Sequence, residues 1–108
     1  MGKSQREKGK RFERLVASQF RAIGFDAKRG WQCRSGDDAP DVDIPYWWVE
    51  CKHHRKVPWR AAYKQACESR DSRAPIAVCK DDKADAVVIM GARDFFELVE
   101  EWLERGEK

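Results

Sequence analysis

Residues 40–52 read PDVDIPYWWVECK, and their alternation constrains the chain more than any other stretch. Side chains two apart on a strand share a face. A hairpin turning at Pro45-Tyr46, with strands over 41–44 and 47–52, therefore sorts its residues into two sets. Asp41, Asp43, Trp48, Glu50 and Lys52 take one face, while Val42, Ile44, Trp47, Val49 and Cys51 take the other. One register pairs Asp41 with Glu50, Val42 with Val49, Asp43 with Trp48 and Ile44 with Trp47; a slip of two keeps the same faces. Pro-Tyr is not the favoured chemistry for a two-residue turn, so a longer loop or a bulge is the alternative. Charged residues thus gather on a ribbon whose reverse side is apolar, and buried charges are rarely idle.

The remaining periodicities place elements around this ribbon. Ser4 and Glu7 form a capping-box signature, and Phe12, Leu15, Val16, Phe20 and Ile23 recur at helical spacing up to Gly24. Residues 25–29 alternate as a short strand, and 30–40 have loop chemistry. Pro58 opens a second helix reaching about Asp71, with Trp59, Ala62, Tyr63, Ala66 and Cys67 on one side. Residues 75–79 and 85–90 are apolar and β-branched, the pattern of buried strands. Asp94 and Glu97 suggest another capping box, opening a last helix to about Arg105 that buries Phe95, Leu98, Val99 and Trp102. The order is α-β-β-β-α-β-β-α, an α/β class with a mixed sheet flanked by helices. A chain of 108 residues makes one domain, with 1–5 and 106–108 expected to fray.

Composition narrows the setting. No run approaches the ~18 apolar residues of a membrane span, and residues 1–14 lack an apolar signal core, so a cytoplasmic protein is expected. Cysteines 33, 51, 67 and 79 show neither a CxxC pair nor zinc-type spacing, which fits free thiols in a reducing compartment. The net charge of +3 is unevenly spread: residues 1–35 carry +7 and residues 81–108 carry −5. A basic first end either tracks a polyanion or is a solvated helix; the acidic end would face away from such a partner.

Asp41, Glu50 and Lys52 suit metal-assisted phosphodiester chemistry. Glu13 joins them, since it falls on the margin of the first helix's apolar sector and could aim at the hairpin. Carboxylates bind Mg²⁺ through oxygen and leave positions for water and phosphate. A neighbouring lysine can orient the water, take its proton or stabilise charge on phosphorus oxygens. The plainer reading is a surface ion pair on a strand and a boundary glutamate on a helix. Asp43 shares the face and is an alternative to Asp41. His53, His54, Arg55, Lys56 and Arg60 form either a phosphate-contacting rim or a solvated loop. The tryptophans read as core or subunit contact, with Trp31 in the polar loop as a candidate for base stacking.

Pro40-Asp41 followed by Glu50-Cys51-Lys52, behind a helix bearing Glu13, resembles the PD-(D/E)xK nuclease superfamily. Within it, RGWQCRSGDDAPDV followed by WVECK resembles archaeal-type Holliday junction resolvases and short phage-encoded relatives. The resemblance implies a restriction-endonuclease-like core and a Mg²⁺-dependent endonuclease, with Mn²⁺ able to substitute. Asp41 and Glu50 would be metal ligands with the Cys51 carbonyl, Lys52 the catalytic lysine and Glu13 the helix-one acid. Gln65, Asp43 and Ser35 would support the site. A homodimer would nick opposing strands of a four-way junction symmetrically. Lys3, Arg6, Lys8, Lys10, Arg11, Arg29 and Arg34, with His53, Arg55, Lys56 and Arg60, would lie along DNA phosphates. The alternatives are a less structure-selective nicking or repair nuclease and, in a different class, a non-catalytic DNA-binding module.

Overall fold

Residues 47–54, the most regularly alternating run of the chain, form the middle strand of a five-stranded sheet. A computed structural model describes residues 2–30 and 39–106. The elements are α1 (Gly2–Ile23), β1 (Lys28–Arg29), β2 (Val42–Asp43), β3 (Trp47–His54), α2 (Trp59–Ser69), β4 (Ala74–Asp81), β5 (Val87–Met90) and α3 (Ala92–Gly106). The spatial order follows the chain order, β1 to β5. Strands β3 and β4 are parallel and the other neighbours antiparallel. The parallel step needs a crossover, and α2 supplies it. The fold is thus mixed α/β with helices on the sheet.

The hairpin register is the expected one: Val42 pairs with Val49 and Asp43 with Trp48. Its turn holds Pro45 and then Tyr46 at φ 76°. Proline followed by a positive φ is the type II arrangement, which explains how Pro-Tyr can close a hairpin this tight. Both faces also segregate as their alternation demands. Val42, Ile44, Val49 and Cys51 pack with Phe12, Val16 and Ala17 of α1. On the reverse side of the sheet, Ala77 and Cys79 of β4 pack with Ala62 of α2 and Val57.

Several boundaries differ from the sequence expectation. The strand expected over 25–29 shortens to Lys28–Arg29, and that over 41–44 to Val42–Asp43. Helix α1 starts at Gly2, ahead of the Ser4 capping signature. Helix α3 starts at Ala92, where the Phe95 N–H bonds the Gly91 carbonyl, so Asp94 lies within its first turn and is not its cap. The larger correction concerns burial. Helix α3 buries none of its residues, and it makes almost no contact with the other elements. Phe95, Leu98, Val99 and Trp102 are exposed, as are Val87 and Val88 of β5. The helix has the expected amphipathic pattern, but its apolar side has no counterpart within the described chain. Among the described residues, no helix is long and apolar enough to cross a membrane.

Candidate functional site

Strand β2 begins at Val42, and the residue before it lies just outside the β3 ladder. Asp41 sits at this fork. Its N–H still bonds the Val49 carbonyl at 2.8 Å, and its own carbonyl accepts the Gly30 N–H at 2.9 Å. Its Oδ2 accepts the Cys51 N–H at 2.8 Å, standing in for the backbone partner that β2 no longer provides. The side chain is therefore fixed by the sheet itself. Gly30 allows this close approach, because a Cβ there would collide with the Pro40 carbonyl oxygen.

Glu50 lies in the middle of β3, only 3% exposed. Its Oε2 accepts the Trp48 indole N–H at 2.9 Å, a contact that the shared face two residues apart makes available. Burial, then the negative charge of Asp41 and a hydrogen bond to it, push the Glu50 carboxyl up to about 8. Lys52, two residues on and half-buried, opposes that rise. Glu50 therefore keeps its proton near neutrality.

Glu13 reaches the same place from α1. Its carboxyl is raised by burial and by Asp41, against the pull of Arg29 and Lys52. Arg29 on β1 donates Nε–H to Glu13 Oε1 at 3.1 Å. Cys51 lies at the centre of the group. Burial pushes its thiol well above the ordinary range, and Asp41, Glu13 and Glu50 add to the effect in that order. Asp41, at the fork, is thus the acid that both Glu50 on the strand and Glu13 on the helix face, with Lys52 acting on both.

Asp43 is placed differently. Its Oδ1 accepts Arg73 Nη1–H at 2.8 Å, and the same Nη1 reaches the Ile44 carbonyl at 3.0 Å. Arg73 also pairs with Asp71 and lies 5.2 Å from the centre of the Trp48 ring. It thereby steadies both the turn and the indole that serves Glu50. The sequence reading missed Arg73 and the Trp48 donor. The latter could have been found from the spacing of Trp48 and Glu50; nothing local marks the former.

Among the described residues, no three His, Cys, Asp or Glu side chains are grouped closely enough to hold a metal ion. The expected three-carboxylate grip is therefore not assembled, and Glu13 pairs with Arg29. The Asp41–Glu50 pair and the Cys51 carbonyl still fit Mg²⁺, which takes one or two protein carboxylates and keeps several waters. A close, buried pair of carboxylates is the kind of oxygen donor set that a hard cation takes.

The expected phosphate contacts divide into groups. Arg6, Lys10, Arg11, Arg55, Lys56 and Arg60 are exposed, and Arg60 lies over Trp59. Lys8 pairs with Asp82 at 3.0 Å, and His53 Nε2 meets the same carboxylate at 3.1 Å. His53 also packs its ring edgewise on Phe12, and burial lowers its pKa. His54 Nδ1 lies 3.2 Å from Gln5 Nε2. Arg29 is occupied by Glu13, so it belongs to the acid cluster. Gln65 is exposed on α2. Trp31, Cys33, Arg34, Ser35 and the Lys3 side chain lie outside the described residues. Comparison with protein-family models, with curated proteins and with solved structures finds no significant match.

Proposed function

We propose that the chain is a Mg²⁺-dependent endonuclease of the PD-(D/E)xK kind, with a restriction-endonuclease-like core, acting on branched DNA such as a four-way junction. The observation that carries this reading is the buried Asp41–Glu50 pair beside Lys52, with Asp41 bonded to the Cys51 N–H, Glu50 held near 8 by its burial and by Asp41, and Glu13 facing Asp41 and Lys52 from α1. A structural ion pair would need one acid beside Lys52, whereas here acids are crowded together against their electrostatic interest.

Asp41 and Glu50 would hold the ion together with the Cys51 carbonyl. When bound, Mg²⁺ supplies Lewis acidity at a phosphoryl oxygen and a more acidic water. The protein's own groups do the rest. Asp41 is aimed by the Cys51 N–H and Glu50 by the Trp48 indole, so neither carboxylate must reorganise to bind. Lys52 stands on the Glu50 face, where its ammonium can orient an attacking water or stabilise charge on the phosphorus oxygens. Glu13, tied to Arg29, adds negative charge that attracts the ion without taking a coordination position. The exposed Arg6, Lys10 and Arg11 on α1 and Arg55, Lys56 and Arg60 after β3 supply phosphate contacts that carry no sequence information.

The test compares scission of a four-way junction with that of a linear duplex of the same sequence, with Mg²⁺ and with Lys52→Ala as control. Faster cutting of the junction is expected, with Lys52→Ala ~10²–10⁴-fold slower and junction binding nearly unchanged. Equal cutting of both substrates removes the junction preference and leaves the nuclease. No scission of any DNA with Mg²⁺ or Mn²⁺ removes the nuclease as well.

A further inference from the structure

Helix α1 lies over β1, β2 and β3 and seats Phe12 and Val16 in the core, so its two flanks meet different surroundings. At about 100° per residue, Glu13 falls on one side of Phe12, while Lys8, Arg11 and Leu15 fall on the other. The Glu13 flank meets Arg29 and the acid cluster. The opposite flank overhangs an open cleft of about 550 Å³, a size that suits a small ligand. Lys8, Arg11 and Arg14 line it from the helix. His53 and Lys80, register partners on β3 and β4, line it from the sheet.

Lys8, Arg11, Arg14 and Lys80 bring four positive charges to this cleft. Among the described residues, Lys8 is the one of these four that is ion-paired, to Asp82 at 3.0 Å. One carboxylate against four cations leaves an excess of three. Lys80 is half-buried at the end of an apolar strand, and its ammonium reaches the Asp81 carbonyl only at 3.4 Å. His53 meets Asp82 as well, but burial, then Lys80 and Lys8, lower its pKa, so the imidazole adds no charge at neutral pH. A single phosphate brings about two negative charges at most, so a ligand that matches the excess carries more than one. The cleft also has an apolar part. Leu15 is 50% exposed, and beside it Phe12 and His53 meet edge to face with centroids 5.6 Å apart. Apolar and ring surface next to phosphate donors suits a heteroaromatic base. An inorganic polyphosphate would leave that surface wet, and a fatty acid would leave the cations unmatched.

We infer that this cleft binds a free nucleotide carrying two or three phosphates, with its base on Leu15 and the Phe12–His53 rings and its phosphates on Lys80, Arg14, Arg11 and Lys8. Asp82 then competes with the ligand for Lys8. The site shares no residue with the acid cluster and stands without the proposed nuclease chemistry. Arg11 also belongs to the proposed DNA contacts, so a bound nucleotide would compete with DNA on this side of α1.

The test titrates the full chain with ATP, ADP, AMP and inorganic triphosphate by calorimetry, in EDTA and without DNA, so that the acid cluster takes no part. ATP and ADP should bind about tenfold more tightly than AMP, and ATP several-fold more tightly than triphosphate. Lys80→Gln and Arg14→Gln should each weaken ATP about tenfold. Lys64→Gln makes the same charge change on α2, across the sheet, and should leave binding within about twofold. Leu15→Ser should weaken ATP and spare triphosphate, and Asp82→Asn should tighten ATP several-fold by releasing Lys8. Arg14, Leu15 and Asp82 are exposed, so their variants decide the matter even where Lys80→Gln unfolds the chain. The inference is overturned if ATP does not bind at ~1 mM, if triphosphate binds as tightly as ATP, or if Lys64→Gln costs as much as Arg14→Gln. It is overturned too by a short oligothymidylate that binds more tightly than ATP with the same dependence on Arg14, which would make the cleft a seat for a DNA strand.

Discussion

At the scale of residues, the site rests on what each carboxylate touches. Asp41 and Asp43 are chemically alike and two apart, yet the Cys51 N–H fixes one at the fork while Arg73 claims the other. Asp41→Asn should therefore abolish metal-dependent scission, and Asp43→Asn should leave its rate within about threefold, the range of surface changes; gel assays with Mg²⁺ distinguish them. Glu50 gives a second prediction through its proton. Its carboxyl titrates near 8 in the fold against 4.5 without it, so the folded chain binds a proton that the unfolded chain releases. Folding is therefore favoured by acid over this window: the contribution is full below about 4.5 and is lost as pH rises through about 8. Thermal unfolding should show wild type matching Glu50→Gln near pH 5 and falling below it above pH 8. Mg²⁺ should raise the wild-type Tm more at pH 8 than at pH 5, because the ion must displace the Glu50 proton.

At the scale of elements, local alternation was legible and distant pairing was not. The hairpin register and its two faces follow from a period of two with a proline-bearing turn, and α1 follows from its apolar spacing. That Asp41 and Lys52 would both lie beside Glu50 was readable for the same reason. Arg73 was not, because a contact across 30 residues leaves no mark on its neighbours. Nor was the fate of α3: an amphipathic stripe says that something must cover it and is silent about whether that cover is its own sheet. The fork supplies the prediction for this scale. Gly30 lies against the Pro40 carbonyl, so Gly30→Ala must push that backbone away. A loss of ~1–3 kcal/mol is expected from urea unfolding, the usual cost of forced overpacking. Scission should fall as well, since the displaced segment carries Asp41.

At the scale of the molecule, charge separates the two ends of the chain. The basic excess lies in the first third and the acidic excess beyond residue 80, so a polyanion would meet α1 and the loop after β3 before it met α3. Junction affinity should then fall linearly on a log–log plot against salt, and charge neutralisation at Arg6, Lys10 or Arg11 should each lower the slope by about 1. Fluorescence anisotropy between 50 and 200 mM salt, roughly the range over which such slopes are read, measures this. The sheet holds a last consequence. Glu50 belongs to a long strand bonded on both sides, while Asp41 hangs from a neighbour only two residues long, itself edged by another of two residues. Amide protons around Val42 should exchange with deuterium far sooner than those around Val49, and each such opening draws the acids apart while the rest of the molecule stays folded. The cluster is built like a clasp with one fixed jaw and one that breathes.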